Sequence, residues 1–199
     1  MKRRRRRGRR TTRRRRLLGA GAAAVAAIAV TAALGLFGRF DDVIQELTLP
    51  LRHEDIIRQQ AREKQVDASL IAAVIYAESR FRDQTSHAGA RGLMQITPTT
   101  ANEIERLSGG TTFKLADLAD PDINIRYGTF YLRELLDLYD ENEVAALAAY
   151  NAGPTQVGEW GGSELTLDAI PLDETRGYVA AVLEKRQDYR DEYGEELGY

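Results

Sequence analysis

The chain has 199 residues, two histidines and no cysteine, which leaves room for one domain with a buried core and excludes a disulfide framework or a thiolate metal site. Its formal charge of −2 hides an asymmetry: residues 1–16 hold twelve of the 28 basic side chains and no acid, whereas from Phe40 onward 15 basic groups face 30 acidic ones. A body that acidic repels phosphate backbones, so nucleic acid is not expected as a partner. His53 and His87 stand apart without metal-ligand spacing, and no metal or other cofactor is expected either.

In chain order, residues 1–16 form an Arg-rich tail, and Leu17 to Gly38 then run LLGAGAAAVAAIAVTAALGLFG without a charge. At about 1.5 Å per residue such a run covers the ~30 Å hydrocarbon core. It reads as a single-pass transmembrane helix. The Arg block before it, with Asp41, Asp42 and Glu46 after it, places the amino terminus in the cytoplasm and the body on the outer side of the membrane. A cleaved signal peptide competes with this reading, because small residues abound near Thr31 to Ala33, but the apolar run exceeds the usual ~7–15 residue core of such peptides. Residues 39–50 read as a linker.

The body, residues 51–191, has apolar residues recurring at three and four, few breakers and little strand signal, so it is expected to be all-α. A first helix covers about Glu54 to Gln65. Asp67 is the expected N-cap of a second, through Leu70, Ile71, Val74 and Ile75 to Glu78, and a third starts near Pro98. A Gly and Thr loop from Gly109 leads to Asp120-Pro121, an N-cap with a first-turn proline. The helix it opens is expected to turn Ile123, Tyr127, Phe130, Tyr131, Leu135 and Leu138 inward. A fifth, Glu143 to Ala152, ends at Gly153-Pro154. A Gly-rich loop then precedes a last helix from about Asp173 to Tyr189, and residues 192–199 read as a frayed acidic tail.

Glu78 lies four residues after Val74 and seven after Ile71, on a face those residues bury, and at the negative end of its helix. Both circumstances favour the protonated carboxyl, the property a glycosidase acid needs. A lone Glu at a helix end is most often a solvated surface group. Here its neighbours add weight: Gly89 and Gly92 offer close backbone approach, Leu93 and Met94 an apolar wall, and Gln95 an amide for an N-acetyl group. Tyr150 and Asn151 end the fifth helix. Glu174 and Tyr178 open the last one at i and i+4, although Glu174 also suits the helix dipole as a first-turn acid.

The segments AESRF, GARGLMQITPTTA, AAYNAGP and ETRGYVAAVL, in that order, together with DPDINIRYG, resemble the family 1 lytic transglycosylases with a soluble-lytic-transglycosylase type catalytic domain, over about 140 residues. The resemblance implies a lysozyme-like helical domain behind the membrane helix. It implies cleavage of the β-1,4 bond between N-acetylmuramic acid and N-acetylglucosamine in peptidoglycan, leaving a 1,6-anhydro sugar. By the same resemblance Glu78 is the single acid and base. Ser86, Gln95, Tyr150, Asn151, Glu174 and Tyr178 hold the sugar or the catalytic carboxyl, and Met94 forms part of the wall.

The chain departs from many relatives in having Asp83 and Gln84 where a proline is usual, and a slightly shorter loop to Gln95, which affects the placing of Ser86. A goose-type lysozyme-like hydrolase and a non-catalytic wall-binding scaffold are the alternatives. Expected partners are peptidoglycan glycan strands and, through the N-terminal helix, the membrane; no protein partner is indicated.

Overall fold

The computed structural model describes residues 48–87, 89–109 and 114–199. The expected Arg-rich tail and membrane helix lie outside the described residues, among which no helix is long and apolar enough to cross a membrane. A compact unit runs from Leu49 to Tyr199. Its helices are α1 Glu54–Lys64, α2 Ala68–Ser79, α3 Pro98–Ser108, α4 Pro121–Leu138, α5 Glu143–Ala152, α6 Pro154–Trp160, α7 Asp173–Glu192 and α8 Gly194–Leu197, with 3-10 turns at Leu115–Ala119, Gly162–Glu164 and Leu167–Ala169. In place of a sheet, the described residues hold only isolated antiparallel bridges, Thr85 to Arg91 and Arg91 to Ile96.

Local chemistry sets the helix starts. The Asp67 carboxylate accepts from the Ser69 and Leu70 amides at the head of α2, and Asp120 does the same for Asp122 and Ile123 ahead of Pro121. Thr97 caps α3 and Asn142 caps α5. Each cap satisfies amides that have no partner within the helix. At α1 and α2 the chain leaves through left-handed residues, Gln65 and Arg80.

α2 is the central helix. From Ala68 to Ile75 every residue is buried, which is how a helix reads when neighbours surround it rather than flank one face. α7 packs along it, α1 packs on α4, and α5 bridges α4, α6 and α7. Asp67, at the start of α2, pairs with Arg186 and Arg190 near the end of α7, while Glu78 at the other end bonds Tyr178 near its start. Both ends of α2 are thus fastened to α7.

Three expectations need correction. Gly153-Pro154 ends α5 but also opens α6, because a proline is as suited to the first turn of a helix as it is unsuited to continuing one. α4 buries Tyr131 and Leu135 as expected, and Tyr127 and Phe130 pack partly buried against the core, but Leu138 is exposed, and close packing also draws Asn124, Ile125, Gly128, Thr129, Leu132 and Leu136 inward. The tail is not frayed. Leu197 is buried, the Tyr193 hydroxyl donates to Leu49 O at 2.7 Å, and the Tyr199 hydroxyl donates to Asp67.

Candidate active site

The site forms where the end of α2, the loop 84–96, the end of α5 and the start of α7 meet. Glu78 occupies the last turn of α2. The Tyr178 hydroxyl donates to its Oε1 at 2.8 Å. Burial drives the Glu78 carboxyl up from an ordinary 4.5 to about 7, against the opposing effect of the Tyr178 bond. Desolvation wins because one hydrogen bond restores less than the water it replaces. Tyr178 and Tyr150 are both raised well above the usual phenol range, by burial first and then by the Glu78 charge, which places both rings close to that carboxyl. Among the described residues no other carboxylate contributes to the Glu78 shift.

The loop is fastened to Glu78 by its own polar groups. Gln84 Nε2 donates to Glu78 O at 3.2 Å, and Gln84 O accepts from the Gly92 amide at 3.0 Å and from Gln95 Nε2 at 3.0 Å. Beneath the loop, the fully buried Asn124 of α4 donates to Arg91 O and Leu118 O and accepts from the Met94 amide at 2.8 Å. All three bonds go to backbone, so Asn124 fixes the path of the loop rather than any one side chain. Gly92 is required by two facts at once: its φ of 74° is left-handed, and a Cβ there would lie 2.1 Å from Asn124 Nδ2.

Tyr150 donates to Met94 O at 2.9 Å and packs on Tyr131 with ring centroids 5.8 Å apart. Asn151 Oδ1 accepts from Thr175 Oγ1 at 2.8 Å, joining the end of α5 to the first turn of α7. The expected residues thus come together unevenly. Glu78, Tyr178 and Tyr150 converge. Gln95 reaches the same loop, but both its amide hydrogens are taken, by Gln84 O and Gly92 O, which leaves its carbonyl oxygen for a ligand.

Ser86 closes a turn by exchanging bonds with Ala90. Glu174 is exposed one turn before Tyr178. Met94 is fully buried. It lies under the wall rather than in it, because Gly128 leaves it a socket: a Cβ on Gly128 would meet Met94 Sδ at 2.3 Å. The reading of the sequence did not single out Gln84 or Thr175 and took Asn124 only as part of a helix opening. Gln84 carries no signal beyond being polar in a loop, whereas an Asn buried inside a helix marks a bonded polar group.

The family model described as the transglycosylase SLT domain matches residues 55–171, a span that holds Glu78, the loop and the end of α5. The chain belongs to the SLT family. Among its relatives, the soluble lytic murein transglycosylases of Salmonella typhimurium and Escherichia coli are each 35% identical, over 79% and 77% of this chain. This SLT chain spans about a quarter of their length, 26% and 25%. The membrane-bound lytic murein transglycosylase F of Desulfosudis oleivorans is 38% identical over 51% of the chain and 22% of its own.

Of solved structures, an inactive glutamate-to-glutamine mutant of the lytic transglycosylase Slt from Pseudomonas aeruginosa superposes with a TM-score of 0.70 at 34% identity, over 75% of this chain and 26% of that one. The 70-kDa soluble lytic transglycosylase of Escherichia coli gives 0.70 at 33%, over 76% and 26%. The SLT domain here has that same all-helical, lysozyme-like fold, as its sequence motifs led one to expect.

Proposed function

We propose that this SLT domain is a murein lytic transglycosylase that cleaves the bond between N-acetylmuramic acid and N-acetylglucosamine in peptidoglycan. One observation carries the reading: a part-buried carboxyl, Glu78, raised to about 7 and held by Tyr178, with no second carboxylate among the described residues acting on it. At neutral pH such a group is part protonated, so it can give a proton and then take one. Glu78 protonates the leaving glycosidic oxygen as the bond to the anomeric carbon breaks. It then accepts the proton of the muramic C6 hydroxyl as that oxygen bonds to the same carbon. No water is consumed, the carboxyl is restored, and the product is a 1,6-anhydro sugar. The acetamido group of the substrate can stabilise the cation between the two steps, which is why one carboxylate suffices.

Ser86, Gln95, Asn151 and Glu174 line the path of the glycan in this reading, Tyr150 and Met94 support the wall, and Tyr178 orients Glu78. The uncharged run Leu17 to Gly38 anchors the domain in the cytoplasmic membrane with the Arg block inside. The family relationship supports the activity, since the relatives named above are lytic transglycosylases, one of them membrane-bound. Mass spectrometry of muropeptides released from purified murein, with wild type beside Glu78→Gln, tests it. Anhydro-muropeptides from the wild type alone are expected. Reducing-end products would replace the reading with hydrolysis, and no product with a binding scaffold.

A further inference from the structure

The segment that follows Glu78 reverses the charge of its surroundings. From Phe40 onward acids outnumber bases two to one, yet between Ser79 and Gly92 the chain carries Arg80, Arg82 and Arg91 against the single acid Asp83. Among the described residues none of these three arginines has a carboxylate within ion-pair distance, whereas Arg58, Arg106, Arg133, Arg176, Arg186 and Arg190 all do. Guanidinium groups left unpaired in an acidic body are open to an anion from outside. Their charge is not spent on the catalytic carboxyl, since no arginine contributes to the Glu78 shift.

Arg80 is the best placed of them. It ends α2 in a left-handed conformation, φ 52° and ψ 43°, and Phe81 follows at φ 58°. Two such residues in succession are costly for side chains with a Cβ and persist only where the surroundings hold them. Phe81 is held by burial and by the Tyr189 ring, 6.0 Å away. The turn sets the Arg80 guanidinium over the Tyr76 ring, 5.7 Å from its centroid. From α7, Lys185 Nζ stands at the same 5.7 Å from that ring. Asp188 bonds this ammonium at 2.6 Å, and Glu184 is the other acid that acts on it. Two cations from two helices thus converge on one ring, and Lys185 lies two turns along α7 from Tyr178, about 10 Å by helical rise.

The geometry points to an anion subsite, formed by Arg80 and Lys185 about Tyr76 with Arg82 two residues on, that takes a free carboxylate of the peptide borne by muramic acid. Where muramic acid bears its peptide, the lactyl carboxyl is taken up in the amide that joins them, so in such murein the free carboxylates belong to the peptide. The subsite deepens the transglycosylase reading and rests on it for the identity of the polymer. It also supplies what a domain this acidic lacks, a local attraction for an anionic wall.

The test uses the whole chain with Glu78→Gln in every arm, so that nothing is cleaved. Calorimetry measures the Kd for a murein tetrasaccharide bearing tetrapeptides and for the same tetrasaccharide stripped of peptide by an amidase, with the lactyl carboxyls that this exposes then capped as methyl amides. Arg80→Gln with Arg82→Gln is expected to raise the Kd for the peptide-bearing ligand about tenfold at low salt, as for the loss of a charge-assisted hydrogen bond, with no change for the stripped one. Arg80→Lys with Arg82→Lys retains charge and should keep most of the affinity. Equal losses on both ligands, no loss on either, or no binding of the peptide-bearing ligand overturns the subsite. The enzymatic reading is judged apart from this: absence of anhydro product from the wild type would remove it while leaving a peptide-dependent difference in Kd in place.

Discussion

The role proposed for Glu78 rests on one property, a carboxyl that burial holds protonated up to about 7, and that property makes two predictions of opposite benefit. The first proton transfer needs the acid form, so kcat/KM on murein should fall as pH rises through about 7. Tyr178 opposes the burial that raises Glu78, so Tyr178→Phe should move that alkaline limb to higher pH while lowering the rate; an unmoved limb would mean that the bond is not made in the working enzyme. The same proton bears on stability. Between 4.5 and about 7 the folded state binds it and the unfolded state does not, so stability falls as pH rises through that window and the full cost is present above it. The cost is on the order of 3 kcal/mol. Glu78→Gln has no such titration, and its bond from Tyr178 can persist to the amide oxygen. Its urea midpoint should therefore gain on the wild type at pH 8 and not at pH 4. Equal differences at both pH values would show that the carboxyl is solvated.

At the scale of elements, the loop 84–96 works because α4 gives it a floor, and Asn124→Ala tests this. The change strands the Met94 amide and the Leu118 carbonyl in the interior, while the Arg91 carbonyl keeps its bond from the Ile96 amide, at about 2 kcal/mol or more by the usual cost of unpaired buried groups, measurable by chemical denaturation. Gly128→Ala should displace Met94, loosen the Tyr150 bond to its carbonyl and cost about 1–3 kcal/mol as an overpacked core does. These dependencies explain what could be read from the chain beforehand and what could not. Caps at Asp67 and Asp120 and the three-and-four periodicity are local, so the helices they open were legible. That Glu78, Tyr150 and Tyr178 would lie together was legible through their motifs. The α6 helix was hidden because Pro154 signals an end as well as a beginning. The inward face of α4 was legible at Tyr127, Phe130, Tyr131 and Leu135 and missed at Asn124 and Gly128, which are buried for bonding and close approach, a cause that apolar periodicity does not register. Gln84 acts only through its backbone and amide contacts in the folded loop, for which a single sequence has no sign.

For the molecule as a whole, the two ends of α2 separate activity from stability. Glu78 lies eleven residues from Asp67, about 16 Å along the helix. At the far end Asp67 gathers the Ser69 and Leu70 amides, the Ser69 hydroxyl, Arg186, Arg190 and the Tyr199 hydroxyl. Burial alone would raise its carboxyl; the bonds from Ser69 and Tyr199 and the Arg186 charge overcome this and hold it at about 2, below an ordinary 3.8. The sign is the reverse of that at Glu78: this stability is present above 3.8 and is lost as pH falls towards 2, and it amounts to about 2 kcal/mol. Residues 193–199 are part of the same clasp, through Tyr199 on Asp67, Tyr193 on Leu49 O and the buried Leu197. Deleting them should lower the thermal midpoint and bring acid unfolding to a higher pH, since Asp67 then loses a donor and returns towards its ordinary value. Burying Leu197 alone contributes about 1.5–3 kcal/mol by the usual transfer figures. Because the clasp and the proposed catalytic carboxyl occupy opposite ends of one helix, the truncated protein should retain its pH profile of turnover well below its lowered midpoint. A profile displaced along with the midpoint would mean that the tail positions Glu78; an unchanged midpoint would mean that it holds nothing.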